Sequence, residues 1–197
     1  MANLDRPSGL TPVKHLSGAP WNGKANVYYL PVGDNTATFI GDVVKLAGSA
    51  DATGMYPTVA QSAAGDVTNV GVVIGFGLQP EVMGNPDNPN MKYRLAATAM
   101  YCLVVDDPFV IFEVQEDGAI ANTSVGLAAN IVVGAGDTTT GKSGMELDSS
   151  DVSTDTAGQL RIMRAVNRPD NAIGTNCKWE VLLAEHAYRE QVTVVDV

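Results

Sequence analysis

Short apolar runs separated by Gly, Asp, Asn and Pro account for most of the chain from residue 25 onward. No stretch of normal helix length repeats its apolar residues at a helical spacing, so the pattern predicts a body built mainly of β-strands. Turn-forming residues between the runs indicate mostly local connections. The predicted strands are Asn26–Leu30, Ala37–Ile40, Asp42–Leu46, Thr58–Gln61, Val70–Phe76, Tyr93–Met100, Tyr101–Val105, Val110–Gln115, Gln159–Val166 and Lys178–Ala184.

The segment MYCLVVDDPFVIFEVQEDG predicts two strands joined by a turn. Pro108 suits a turn and would disrupt a central strand, which places the boundary between the strands at Asp106–Pro108. Most side chains on both sides of this boundary are apolar. The pattern therefore predicts a hairpin in the core.

Two insertions interrupt the predicted strands. Leu78–Met91 is rich in Pro and Asn, and Gly134–Gly158 is rich in Gly, Ser, Thr and Asp, so both are expected to be long surface loops. Ser124–Asn130, just before the second insertion, is expected to form a single helical turn.

The first 23 residues contain three prolines interleaved with three glycines, a composition that predicts an extended arm with neither helix nor β-ladder. Apolar side chains nevertheless recur along the arm and need a surface, either on the chain's own body or on a neighbouring subunit. Such an arm points to assembly rather than catalysis. The predicted organisation is an arm over 1–24, a β-rich body over 25–190 and a C-terminal tail over 191–197. The candidate docking residues of the arm are Leu4, Leu10, Val13, Leu16 and Trp21.

Composition narrows the function classes. The chain has 197 residues and a formal net charge of −10, which argues against binding to the phosphate backbone of nucleic acids. It contains neither a run of about 18 apolar residues nor a signal-peptide pattern, so we expect a soluble chain with no membrane partner. Cys102 and Cys177 lie in apolar surroundings without metal-ligand spacing, and we expect both to be buried, reduced thiols.

Charge is distributed unevenly along the sequence. Residues 106–155 contain ten acidic side chains and a single basic one, Lys142, whereas Arg161, Arg164 and Arg168 follow closely afterwards. One interpretation is a solvated face. The alternative is an interface in which the acidic patch of one subunit meets the basic patch of another.

Residues 136–143 (GDTTTGKS) match the phosphate-binding pattern GxxxxGK[ST]. A functional loop of this kind opens a helix whose N-terminal amides bind phosphate, but Gly144 and a polar segment follow here. The magnesium-binding aspartate expected downstream is also missing. His15 and His186 have no metal-ligand partners at suitable spacing. The sequence thus predicts neither an enzyme nor a bound metal or cofactor, with a nucleotide-binding enzyme kept as a minor alternative.

Several segments, in this order, resemble the head decoration (cement) proteins of tailed bacteriophages. The similarity extends from the arm to about Arg189, and the final QVTVVDV matches no segment of these proteins. The segments are HLSGAPWNG, FIGDVVKLAG, YPTVAQSAAGD, VGVVIGF, YRLAATAMYCLVVDDPFVIFEVQED, GDTTTGKSGMELDSS, LRIMRAVNRPDNAIG and KWEVLLAEHAYR.

This resemblance implies a compact, mainly β body similar to a β-barrel or β-sandwich, with an extended N-terminal arm and long surface loops. It implies that the chain binds the outside of the capsid after expansion and joins neighbouring major-capsid subunits, with GDTTTGKS as a surface loop. The expected partners are the major capsid protein and further copies of the chain, in a homotrimer or, as in some of these proteins, a dimer, with the trimer preferred. The expected location is the virion exterior. Another phage structural protein, such as a head fibre base or a tail component, is the alternative.

Overall fold

The computed structural model describes residues 3–77, 92–154 and 158–189. Within these residues the protein consists of β-strands and one 3₁₀ turn at Asn122–Ser124, which confirms the predicted mainly β fold. The strands are β1 (Thr11–His15), β2 (Asn26–Leu30), β3 (Thr38–Phe39), β4 (Val43–Ala50), β5 (Pro57–Gln61), β6 (Asn69–Phe76), β7 (Tyr93–Arg94), β8 (Met100–Val105), β9 (Val110–Gln115), β10 (Ala128–Ala129), β11 (Ile131–Asp137), β12 (Lys142–Leu147), β13 (Leu160–Ala165) and β14 (Lys178–Leu183).

Five strands form a closed ring in the order β2-β5-β4-β6-β8. The ring closes through a parallel contact between β2 and β5, where Tyr29 faces Thr58, and its other pairings are antiparallel. Closure removes free strand edges from this part of the molecule. The buried interior of the ring includes Tyr28, Leu30, Val44, Val59, Val73, Cys102 and Val104.

A second layer is an antiparallel sheet in the order β1-β9-β14-β13-β10. Its buried face forms a separate core with the hairpin β11–β12, and this core contains Phe112, Met145, Leu147, Leu160 and Trp179. The same core includes Val43, Val72 and Val105 from the ring strands. Because successive strand residues point to opposite faces, neighbouring valines in the ring strands pack into different cores, one into the ring interior and the next into the core shared with the sheet.

The predicted hairpin around Asp106–Pro108 is wrong, although β8 and β9 lie where the sequence places strands. β8 pairs with β2 and β6 of the ring, whereas β9 pairs with β1 and β14 of the sheet. The intervening turn carries the chain from one layer to the other. Asp106 accepts hydrogen bonds there from Asn26 and Tyr28, and Phe109 N donates to Asp107 Oδ1 at 2.8 Å.

The predicted loop over Gly134–Gly158 is also wrong in its first part, which forms β11 and β12. These strands pair along Ile131–Gly134 and Gly144–Leu147, and Met145 and Leu147 are fully buried. A glycine-rich composition predicts a loop, but here the absence of side chains lets the two strands approach closely. A Cβ atom on Gly134 would lie 2.2 Å from the carbonyl oxygen of Gly144.

The predicted strand Tyr93–Met100 is mostly a turn. Tyr93–Arg94 pairs with β3, and Met100 begins β8, where it pairs with Leu30. Arg94 is fully buried and its guanidinium organises the turn. It binds Asp34 at 2.9 Å and donates to the carbonyl oxygens of Pro31 and Thr98 at 2.6 and 2.7 Å.

The remaining predictions differ in smaller ways. The helical turn expected at Ser124–Asn130 lies slightly earlier, at Asn122–Ser124, and β10 occupies part of the expected range. The predicted loop over residues 78–91 and the C-terminal tail over 191–197 lie outside the described residues.

Candidate functional site

The N-terminal arm contributes a strand to the sheet, so the prediction that it forms no β-ladder is wrong. Thr11 faces Glu113 and His15 faces Val110 in an antiparallel pairing of β1 with β9. Pro12 is tolerated because β1 is an edge strand and its register shifts immediately afterwards. Val13 is the only apolar residue besides Pro12 in Thr11–His15, so no alternating pattern marks this strand in the sequence.

Leu10 anchors the arm in the core of the same chain. Its side chain is 1% exposed, and its backbone N donates to the carbonyl oxygen of Gly41 at 2.9 Å. Gly9 has a φ of +67°, and a Cβ atom there would lie 2.4 Å from Gly41 O. Trp21 also packs against this core. Leu10 and Trp21, two of the predicted docking residues, therefore pack against the core of their own chain.

The other three predicted docking residues, Leu4, Val13 and Leu16, are exposed. Leu16 N donates to the carbonyl oxygen of Phe109 at 2.7 Å, which places two apolar residues side by side at 45% and 49% exposure. The guanidinium of Arg189 lies 5.8 Å from the centre of the Phe109 ring. We call Leu16 and Phe109 the arm patch. The sequence analysis missed Phe109 because the prediction assigned its segment to the core.

The three arginines proposed as an interface differ in their surroundings. Arg164 binds Glu180 at 2.7 Å, and Arg168 binds Glu113 at 3.1 Å. Their acidic partners thus belong to the same chain. Arg161 has no ion pair in the described part of the chain and donates instead to the carbonyl oxygen of Gly126 at 2.9 Å.

Arg161 borders a groove of about 700 Å³ between the ring and the sheet. The residues that line it come from β4, from the turn before β6, from β13, and from β14 and the segment that follows it. Sequence reasoning did not find this groove, because its residues are far apart along the chain. They are Leu46, Val67, Thr68, Arg161, Leu182, Ala184, Glu185, His186, Ala187 and Arg189.

His186 is the most buried titratable residue of the groove, at 5% exposure. Its Nδ1 accepts a hydrogen bond from Tyr188 N at 3.1 Å. Burial lowers the pKa of His186, and the charge of Arg189 adds to this effect, while the charges of Asp106 and Asp107 and a hydrogen bond with the Val70 backbone oppose it. The imidazole is accordingly neutral at pH 7, with its proton on Nε2.

The GxxxxGK[ST] match forms the turn between β11 and β12, with Lys142 and Ser143 beginning a strand instead of a helix. The Asp137 carboxylate accepts hydrogen bonds from Thr139 N and Thr140 Oγ1, both at 2.8 Å, and Gly141 N donates to Asp137 O at 2.7 Å. A carboxylate therefore occupies the place where a phosphate-binding loop presents free amides.

The buried reactive side chains have structural surroundings. Cys102 and Cys177 are buried and unpaired, and burial raises the pKa of Cys102 to about 12, so its thiol is a poor nucleophile at neutral pH. Glu116 accepts hydrogen bonds from Trp179 Nε1, Ile120 N and Cys177 N. Across the described residues, no group of three His, Cys, Asp or Glu side chains is arranged to hold a metal ion.

Comparison with known proteins identifies no relative: no family model, no curated protein and no solved structure matches this chain. Among the described residues there is no helix long and apolar enough to cross a membrane.

Proposed function

We propose that this chain is a decoration protein that binds the outer surface of a tailed-bacteriophage capsid and joins neighbouring major-capsid subunits. The resemblance of several segments, in their order along the chain, to decoration proteins motivates this role. The protein works without a cofactor, as part of the virion exterior. By binding only the assembled shell, it stabilises the shell by RT ln(1 + [L]/Kd) for every occupied site.

The arm patch is the observation that supports this role most directly. Leu16 and Phe109 are large apolar side chains held next to each other at the surface by a backbone hydrogen bond. Leu10 is buried in the core and β1 pairs with β9, so the fold itself holds Leu16 beside Phe109. A preordered apolar patch loses little conformational entropy on binding, which suits a protein that must attach at many equivalent positions.

A homotrimer is part of the proposal. Because the ring closes on itself, the open strand edges among the described residues belong to the five-stranded sheet, the β11–β12 hairpin and the β3–β7 pair. Three linked arm patches on one side of a trimer would raise the effective concentration of each patch once the first has bound. The trimer then dissociates slowly from the capsid even though each single contact is weak.

Co-sedimentation with expanded, empty shells of the major capsid protein from the same genome tests the proposal. Saturable binding of the unaltered chain is expected. Burying an apolar side chain of this size is worth about 1.5–3 kcal/mol, so L16D and F109D should each weaken binding by roughly tenfold or more.

Val125→Asp is the matched control, because Val125 is 47% exposed and lies outside the arm patch. It should bind like the unaltered chain. Failure of the unaltered chain to bind shells would overturn the proposed function. Normal binding by both arm-patch variants would instead remove the arm patch from the mechanism.

A further inference from the structure

One asparagine of the arm is followed directly by glycine. Asn22–Gly23 is the single Asn-Gly pair in the sequence, and both residues are exposed between Trp21 and the first residue of β2. Asparagine is a thermolabile residue, because the backbone nitrogen of the next residue can attack its side-chain amide carbon. Glycine offers the least hindrance to this attack, since it has no Cβ atom. The pair therefore combines an attackable amide with an unhindered nucleophile.

The backbone around this pair favours the attack. Lys24 N donates to Asn22 Oδ1 at 3.2 Å, which turns the side chain back towards the main chain and polarises its carbonyl group. The attacking atom, Gly23 N, donates no hydrogen bond within the described residues, so no protein acceptor restrains it. A Cβ atom built on Gly23 would meet no atom within 4 Å, and this open space admits the water that the reaction needs.

Contacts on either side hold the loop in this arrangement. Trp21 N donates to the carbonyl oxygen of Val13 at 3.2 Å, and Trp21 Nε1 donates to that of Lys24 at 3.3 Å. Trp21 and Ala25 both pack against the core of the sheet. A group held close to its target reacts faster than a freely rotating one, because less conformational entropy is lost on the way to the transition state. The fold should therefore promote the attack at Asn22 rather than suppress it.

We propose that Asn22 is a site of spontaneous deamidation in the folded protein, with water as the co-reactant. Gly23 N loses its proton to hydroxide and bonds to Asn22 Cγ, the Cγ–Nδ2 bond breaks, and Nδ2 takes up a proton from water and leaves as ammonia. Water then adds to a carbonyl carbon of the resulting five-membered imide and opens the ring to aspartate or isoaspartate. The net reaction consumes water, releases ammonium and leaves a new carboxylate in the arm.

The products change the arm where it returns to the body. Aspartate and isoaspartate both introduce a negative charge next to Trp21. Isoaspartate also lengthens the main chain by a methylene between Trp21 and Lys24, the two residues that the indole hydrogen bond joins. The modification is independent of the capsid role, so failure of one proposal would not affect the other.

Mass spectrometry of the full chain, incubated in its folded state at pH 8 and 37 °C and then digested, tests this site. The reference is the peptide acetyl-Pro-Trp-Asn-Gly-Lys-Ala-amide under the same conditions, because it contains the same residues without the fold. A mass gain of about 1 Da should appear in the fragment that contains Asn22, with release of ammonia. Since the fold holds the reacting groups together, conversion in the folded chain should be at least as fast as in the peptide.

Asn171 is the internal control, because its amide donates to the carbonyl oxygens of Val166 and Lys178 and alanine follows it in the sequence. It should remain unconverted. Gly23→Ala should slow conversion of Asn22 by about tenfold or more through the added Cβ atom, and Asn22→Ser should abolish it, with melting temperatures confirming that both variants are folded. Slower conversion in the folded chain than in the peptide, equal conversion at Asn171, or an unchanged rate in Gly23→Ala would each overturn the proposal.

Discussion

At the scale of single residues, two side chains that the sequence did not predict to be buried make important contacts in the fold. Arg94 and Leu10 lie in segments that the sequence assigned to a strand and to a free arm, yet both are almost completely buried. A buried guanidinium is retained only because Asp34 and several carbonyl oxygens surround it. Local sequence patterns cannot reveal such partners, because the residues that meet are far apart along the chain.

Replacement of Leu10 by Ala should strongly destabilise the protein. The change leaves a cavity where the arm enters the core, and comparable substitutions cost about 2–5 kcal/mol. Leu4→Ala is the matched control, because Leu4 is 65% exposed and should change stability by less than about 0.5 kcal/mol. Urea unfolding followed by circular dichroism measures both. Equal stability of the two variants would show that the arm is not anchored as described.

Glu146 should make stability depend on pH. Burial, with smaller contributions from Asp5 and Asp117, raises its pKa from 4.5 to about 7. The folded state therefore holds the proton more tightly than the unfolded state, and this contribution to stability, complete below pH 4.5, is lost as pH rises to about 7.

Glu146→Gln should prevent the loss of folding stability that follows ionisation of Glu146 at high pH. Because the side chain is partly exposed, we expect a discounted gain of about 1 kcal/mol at pH 8, or about 2–4 °C in melting temperature. The gain should shrink at pH 5, which serves as the internal control. A melting temperature that rises equally at both pH values would contradict the assignment of the raised pKa to Glu146.

At the scale of secondary-structure elements, the positions of strands were more predictable than their partners. β2 and β9 have the bounds that the apolar pattern predicts, because a run of β-branched and aromatic residues is a local property. The pairing of β8 and β9 with different layers is a nonlocal property, and adjacency along the chain suggested a hairpin. β1, β11 and β12 were missed because proline and glycine usually indicate a turn or loop. An edge strand tolerates proline, and two closely packed strands can require glycine.

The turn between β11 and β12 should not bind nucleotides. Asp137 already accepts from the amide of Thr139, and its negative charge would repel a phosphate. Magnesium ATP at millimolar concentration should leave the melting temperature unchanged in the unaltered chain and in K142A. A ligand at a hundredfold excess over Kd would stabilise the folded state by about 2.7 kcal/mol. A reproducible rise with ATP that K142A abolishes would restore the nucleotide-binding alternative.

At the scale of the whole molecule, the chain folds into a closed ring and an open sheet, with one core inside the ring and a second between the ring and the sheet. Arg168 pairs with Glu113 of the acidic region, and Arg164 pairs with Glu180 outside that region, so both arginines have acidic partners in their own chain. Arg161 is the exception, and it lies at the groove. The sequence analysis named Leu16 of the arm patch but not Phe109, and it singled out Arg161 of the groove as an interface candidate without finding the groove, because the fold brings these distant residues together.

The proposed trimer predicts a mass of about three times 20.6 kDa in sedimentation equilibrium at micromolar concentration. The expected contacts involve the exposed edges of the sheet and hairpin, since the ring has no edge to offer. Raising the salt concentration should have little effect if these contacts are apolar and backbone-mediated, whereas marked dissociation would indicate charge-driven association. A single-chain mass across the concentration range would contradict the trimer.

Cryo-electron microscopy of expanded capsid shells incubated with the purified chain tests the capsid role most directly. The account predicts additional density on the outer surface at symmetry-related positions, fitted by the ring and sheet, with Leu16 and Phe109 facing the major capsid protein. Shells prepared without the chain provide the reference map. Reconstructed shells that lack this density at saturating protein concentration would contradict the central proposal.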